Sequence, residues 1–316
     1  FNNLKEIHFS VLFLKRFFNT EKNTVKKIFE FLDEFKLNLI HAHAIWNGGY
    51  IAMELAKIIK YKYVITEHMG HFPWKIPLFI NKKNQLTNRI KLPLENADAL
   101  LAVSNSLADR IAQFNIKRPI VLYNLVNEQR FKPNNWPKTS LFNLLSIGRL
   151  TTQNGMDVLL HAFSNAYKSL PNLRLTILGD WKQKVELMHL IQKLAITNVV
   201  NLVGAVVRSK IIDYYHDAQC FILASRGGNV WVGYAEAIAC GLPIIATACG
   251  GPIDSVNHKN EILTKIDVVD DLTKAIIMVY QQIDGYDGTL IRDDFLQKFS
   301  SSKICEQLIK LYQGLV

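Results

Sequence analysis

Two consecutive α/β units, each built on a parallel sheet, are what this sequence predicts, and three observations predict them. Short apolar runs alternate with amphipathic helical stretches along most of the chain, the pattern of repeated βαβ units. A polar stretch holding Pro133, Asn134, Asn135, Trp136 and Pro137 interrupts that alternation once. A length of 316 residues with 49% hydrophobic content exceeds what one core usually organises. The expected division is a first domain over 1–125, a linker over 126–141, a second domain over 142–295 and a terminal helix over 296–316.

In chain order, Thr24 to Lys36 carries Val25, Ile28, Phe29, Leu32 and Phe35 at helical spacing with charged residues between them, which predicts an amphipathic helix. Leu37 to His41 reads as a buried strand, Gly49 to Ile59 as a helix, and Tyr63 to Thr66 as the next strand. Asp98 to Val103 and Ile120 to Tyr123 supply further strands, and Ser104 is placed to cap the helix that includes Leu107 and Ile111. After the linker come strands at 144–147, 173–178, 199–202 and 220–223. The helices between them fall at 158–169, 185–194 and 211–216. Ser300 to Leu315 has Ile304, Leu308, Leu311 and Tyr312 on one helical face, suited to packing across both domains.

Charge is unevenly placed. Phe1 to Ser140 holds 21 Lys or Arg against 11 Asp or Glu, whereas Leu141 to Val316 holds 16 against 16, so the entire +10 lies in the first part. An anionic surface or acceptor is the expected counterpart of that half. A nucleic-acid partner is not expected, because no recognition-helix or aromatic-basic strand pattern accompanies the charge. Cys220, Cys240, Cys249 and Cys305 form no Cys-x-x-Cys pair and have no His at zinc-ligand spacing, which reads as buried reduced thiols in a cytoplasmic protein. The first residue is Phe1, no leader or membrane-spanning apolar run is legible, and a fragment is the expectation.

The most informative stretch is Tyr234 to Asp254, YAEAIACGLPIIATACGGPID. A helix through Glu236 is stopped by Gly241, a nearly continuous apolar run then suits a strand covered on both faces, and Gly250-Gly251 follows directly. A turn free of Cβ atoms at the carboxyl end of a parallel strand can present backbone N-H groups to an anion. Taken singly, the double glycine is a tight turn and Glu236 a solvated helix carboxylate. Together, Glu236, Ala237, Ala239, Gly241, Pro243, Ala246, Thr247, Gly250 and Gly251 resemble the donor segment of the retaining GT-B glycosyltransferases of family 4.

That resemblance extends over Leu37 to the C-terminal helix. It includes Gly148-Arg149-Leu150 with Gly155, Leu39-Ile40-His41-Ala42-His43 with Gly49, and Tyr63 to His68. It implies a GT-B fold, two Rossmann-like domains facing a cleft, and transfer of a sugar from a nucleotide diphosphate sugar to a glycan or lipid-linked glycan, with retention and without a metal or other cofactor. In this pattern Gly148 and Arg149 meet the donor diphosphate, Glu236 the ribose, Gly250 and Gly251 the phosphates, and His68 faces the sugar from the first domain. The chain departs from the pattern at Asn154, where relatives place Lys, and at Gly228, where they place a Glu. Asn229 is the expected substitute for one lost hydrogen bond. The first strand and glycine-rich loop of relatives have no counterpart before Lys36. A catalytically degenerate binding protein is therefore the alternative reading.

FSVLFLKRFF over Phe9 to Phe18 and FPWKIPLFINKK over Phe72 to Lys83 mix large apolar groups with Lys and Arg. Such segments suit either a lipid headgroup boundary or a core helix and a loop; peripheral attachment to an anionic inner membrane surface is the expectation.

Overall fold

The structure is a computed structural model that describes residues 20–32, 37–70, 72–73, 75, 77–134, 140–228, 231–254 and 261–316. The expected helix starts the described chain as α1 (Thr20–Leu32), with Val25 buried and Lys26, Lys27 and Glu30 exposed. Phe9 to Phe18 and Asn229 lie outside the described residues, as do the linker positions 135–139.

The first domain holds β1 (Leu39–His43), α2 (Tyr50–Ile59), β2 (Lys62–Glu67), α3 (Asn88–Asn96), β3 (Ala99–Ala102), α4 (Asn105–Ala112) and β4 (Ile120–Val121). Its strands pair in parallel in the order β1-β2-β3-β4. Ser104 caps α4 as the sequence predicts, its Oγ accepting from the Leu107 N-H at 3.1 Å. In the loop over 72–83, Phe72 and Phe79 are buried against Ile90 and Leu94, while Lys82 and Lys83 are exposed.

The second domain runs β5 (Phe142–Ile147), α5 (Met156–Tyr167), β6 (Leu173–Leu178), α6 (Lys184–Lys193), β7 (Val200–Gly204), α7 (Ile211–His216), β8 (Cys220–Leu223), α8 (Trp231–Ala239), β9 (Ile244–Thr247), β10 (Glu261–Thr264), α9 (Val269–Gln282), α10 (Gly288–Phe299) and α11 (Ser301–Leu315). Its six strands are parallel in the order β10-β9-β8-β5-β6-β7. One face packs on α5 and α9 through Leu159, Phe163, Leu272 and Ile276, the other on α8 and α10 through Tyr234, Ile238, Ile291 and Phe295. Parallel strands covered on both faces account for the unbroken apolar text of Cys220–Leu223 and Ile244–Thr247.

The linker and the chain end both join the domains. Residues 126–131 of the expected linker pack into the second domain, where Val126 and Phe131 are buried and Arg292 donates to the carbonyls of Glu128, Phe131 and Ala239 at 2.6–2.7 Å. The chain end is two helices broken at Ser300, and α11 returns to the first domain: Ile304 is buried against Val64, Leu101 and Leu122. Cys220, Cys240 and Cys249 are buried free thiols as expected, but Cys305 is exposed on α11.

Candidate functional site

In an open parallel sheet the ligand crevice lies beyond the carboxyl ends of the strands, where the winding direction reverses. Here that point falls between β5 and β8, since β6 and β7 extend from one side of β5 and β8, β9 and β10 from the other. Gly148 and Arg149 follow β5, Ser225 to Gly228 follow β8, and Gly250 and Gly251 follow β9, so most of the predicted donor residues leave three adjacent strands at one end of the sheet.

Hydrogen bonds tie these loops together. Arg226 N-H donates to the Gln153 carbonyl at 2.7 Å, and Gln153 Nε2 donates to the Gly227 carbonyl at 2.9 Å. The Arg226 guanidinium reaches the Thr152 carbonyl at 2.6 Å and both oxygens of Asp157 at 2.9 and 2.7 Å. A Cβ placed on Gly250, whose φ is 67°, would stand 2.9 Å from the Gly228 carbonyl, so the β8 and β9 loops touch. Gly251 is buried and opens the 3₁₀ turn Gly251–Asp254.

Asn154 and Gly228, the two positions expected to depart from the motif, each shape these loops. Asn154 turns back on its own loop, Nδ2 donating to the Arg149 carbonyl at 2.7 Å and crowding Gly148, where a Cβ would lie 2.9 Å away. Gly228 has φ 109°, and a Cβ there would lie 2.3 Å from Gln153 Nε2, so the loop is built around a glycine. Arg149 is exposed, and its guanidinium has no hydrogen-bond or ion-pair partner among the described residues. A cation without a partner is free to meet an anion.

Glu236 lies on α8, one turn beyond Gly233, which faces Ile147 at the end of β5. It is a fully buried carboxylate, 1% exposed, that receives Arg208 Nη2 on Oε1 and the Tyr215 hydroxyl on Oε2 at 2.9 Å. Burial pushes its pKa up, against the pull of Arg208 and Tyr215. Arg208 in turn lies over the Phe131 ring at 5.2 Å. Any further donor to Glu236 would therefore share the carboxylate with Arg208. Neither Arg208 nor Tyr215 was foreseen; only the arrival of α7 and the 3₁₀ turn Arg208–Lys210 before it beside α8 brings them to a residue more than twenty positions away.

In the first domain His68 follows β2, and its Nε2 meets His43 Nδ1 at 2.9 Å. Asn124 hydrogen-bonds the same ring. His41 stacks on His43 with centroids 4.6 Å apart and joins Thr66 Oγ1 at 2.7 Å and the Tyr312 hydroxyl of α11. All three rings have lowered pKa values, chiefly from burial, His41 falling to about 4. Glu67 sets the turn: buried, it accepts from the N-H groups of Ile45, His68 and Met69 at 2.8, 2.8 and 2.6 Å. Across the gap, α4 packs on the 3₁₀ turn Gly251–Asp254, so the carboxyl ends of both sheets face one interdomain space. Among the described residues no three His, Cys, Asp or Glu side chains are grouped to hold a metal ion.

Two parallel α/β domains meeting at their carboxyl ends, with a C-terminal helix returning to the first, define the GT-B architecture. Residues 126–283 match the model of Glycosyl transferases group 1 and residues 2–130 that of Glycosyltransferase Family 4, and the chain belongs to this glycosyltransferase family. It is 24% identical over 265 residues to a phosphatidylinositol N-acetylglucosaminyltransferase component of Arabidopsis thaliana, covering 82% of this chain and 58% of that protein. It is 25% identical over 257 residues to the alpha-monoglucosyldiacylglycerol synthase of Acholeplasma laidlawii, covering 74% and 62%. The chain thus spans about three fifths of these relatives' lengths. The sucrose-phosphate synthase of Thermosynechococcus elongatus has the same fold, with TM-score 0.81 and 21% identity over 94% of this chain and 78% of that one. So does Anabaena HepE in complex with UDP, with TM-score 0.81 and 19% identity over 93% and 82%.

Proposed function

We propose that this chain is a retaining glycosyltransferase that moves a sugar from a nucleotide diphosphate sugar to a glycan or lipid-linked glycan, without a metal ion. The observation that carries the proposal is the position of Arg149 and Gly228 just beyond the two strands that flank the topological switch point, with Gly250 against Gly228. Transfer breaks the bond from the sugar anomeric carbon to the diphosphate, which leaves with the electron pair. The acceptor oxygen then attaches on the same face, and its proton passes to a departing phosphate oxygen. Charge accumulates on the diphosphate, where the unpaired Arg149 guanidinium and the N-H groups of the Gly250-Gly251 turn neutralise it. Glu236 holds the ribose in company with Arg208. His68, neutral and oriented by His43 and Asn124, borders the sugar from the first domain.

Relatives named for phosphatidylinositol and diacylglycerol substrates support a lipid-linked acceptor, and the basic first part of the chain supports contact with an anionic membrane surface. The test is incubation with nucleotide sugars and lipid-linked acceptors in chelator, with the product anomer read by NMR coupling. An inverted product or loss of activity in chelator contradicts the reading. Flotation that shows no preference for anionic over neutral vesicles removes the membrane element.

A second reading, a nucleotide-sugar binder without turnover, is favoured by the Asn154 side chain spent on the Arg149 carbonyl. Asn154→Lys separates the two: transfer that appears only in the variant makes the natural chain a binder. Gly228→Glu is unsuited to that purpose, because φ 109° strains any side chain there.

A further inference from the structure

The first domain contributes a cation to the glycine edge of the site. Arg110, on the last turn of α4, reaches across the interdomain contact until its Nη2 stands 3.8 Å from where a Gly250 Cβ would be, beside Ser106 Oγ at 3.6 Å and the Gly228 carbonyl at 2.9 Å from the same point. It is half-buried. Among the described residues its hydrogen bonds run only to its own helix, Nε to the Ser106 carbonyl at 3.2 Å and Nη2 to Ser106 Oγ at 3.4 Å. Among the described residues no carboxylate pairs with it.

That isolation separates it from its neighbours. Arg118 is paired with Asp109 at 2.7 Å and Asn105 at 2.9 Å, and Arg226 with Asp157 and Asp267. A guanidinium taken partly out of water without a counter-ion is costly, and an arriving anion recovers that cost. The Ser106 contacts hold the fork in place beforehand, which lowers the ordering cost of binding. On the opposite side of the β8 loop, Asn154 leaves Arg149 as the one second-domain cation of the family pattern.

We propose that Arg110 is a donor-binding residue, supplying from the first domain the second positive contact to the diphosphate that position 154 does not provide. The inference rests on the donor-site reading above. It also gives the two domains a reason to close: a diphosphate held by Gly250 and Arg149 on one side and Arg110 on the other bridges them.

The test is calorimetric titration of the full chain and of Arg110→Ala, Arg110→Lys and Arg118→Ala with UDP, GDP and ADP, and with the corresponding nucleosides. For whichever diphosphate binds, Arg110→Ala raises Kd about 10- to 100-fold, the worth of a charge-assisted contact. Arg110→Lys recovers part of it, Arg118→Ala stays within about twofold, and nucleoside affinity is unchanged. Arg110→Ala binding the diphosphate as tightly as the natural chain overturns the inference and leaves the donor-site reading standing. Equal loss of nucleoside and diphosphate affinity also overturns it, because the residue then acts on domain closure rather than on charge. No binding of any diphosphate by the natural chain removes both.

Discussion

Replacing Arg149 by Ala separates function from stability at one position. The guanidinium is exposed and has no partner among the described residues, while the backbone carbonyl of Arg149 keeps its bond from Asn154. Truncation therefore removes no hydrogen bond or ion pair among the described residues, and stability should stay within about 0.5 kcal/mol, the range of ordinary surface substitutions. Under the proposed chemistry the same change takes a preorganised cation from the departing diphosphate. That contact is worth about 2–4 kcal/mol in the transition state, or roughly 30- to 1000-fold in rate at 1.36 kcal/mol per decade. The assays are urea unfolding and donor turnover measured on one preparation. A variant that transfers sugar at the natural rate refutes the assignment of Arg149. So does one whose activity falls only in proportion to lost folded protein.

Three further outcomes follow from the geometry. Arg208→Ala strands the buried Glu236 carboxylate with Tyr215 alone, and urea unfolding should register a loss of about 1–3 kcal/mol. Ile304→Ala opens the seam where α11 meets Val64 and Leu101 and should cost about 2–4 kcal/mol, whereas Ile309→Ala, 36% exposed on the same helix, should cost far less. The His41 ring, held near pKa 4 by burial and by His43 and His68, is kept neutral by the fold. Its contribution is complete above the unfolded value of 6.5 and is lost as pH falls from there through about 4, with a screened magnitude of about 1–2 kcal/mol. The stability difference between the natural chain and His41→Asn should shrink across that window, and a constant difference contradicts the account.

The central strands were legible because burial on both faces leaves no polar alternation to confuse them: Cys220–Leu223 falls where the apolar text places it. The α3 helix was not read, since Pro93 inside it breaks the helical pattern; its carbonyl instead accepts the Tyr63 hydroxyl at 2.9 Å. Nor were α9 and α10, although Asp287 caps the second of these through the N-H groups of Thr289 and Leu290. The terminal helix read over Ser300 to Leu315 is α11, and the extended Ser300 separates it from the unread α10. In the candidate site, the places of Arg149 and Gly250 just after their strands were legible from motif, and Gly228 was read as a departure from it. Arg208, Tyr215 and Arg110 were not, because what makes them informative is a partner gained or withheld across elements that only the fold brings together. In the 72–83 loop the mixture of apolar and basic residues left core and interface both open, and Phe72 and Phe79 fill the core.

The account stands most directly on whether the second domain grips an activated sugar by its diphosphate. Thermal unfolding of the full chain across a panel of nucleotide sugars measures this, with Arg149→Ala and Glu236→Ala alongside. At a hundredfold excess over Kd a ligand of the native state adds about 2.7 kcal/mol, or roughly 4–6 °C for a chain of this size. The account predicts a rise of that order for at least one nucleotide sugar, reduced in both variants. An unmoved midpoint across the panel, or an equal rise in all three proteins, contradicts it.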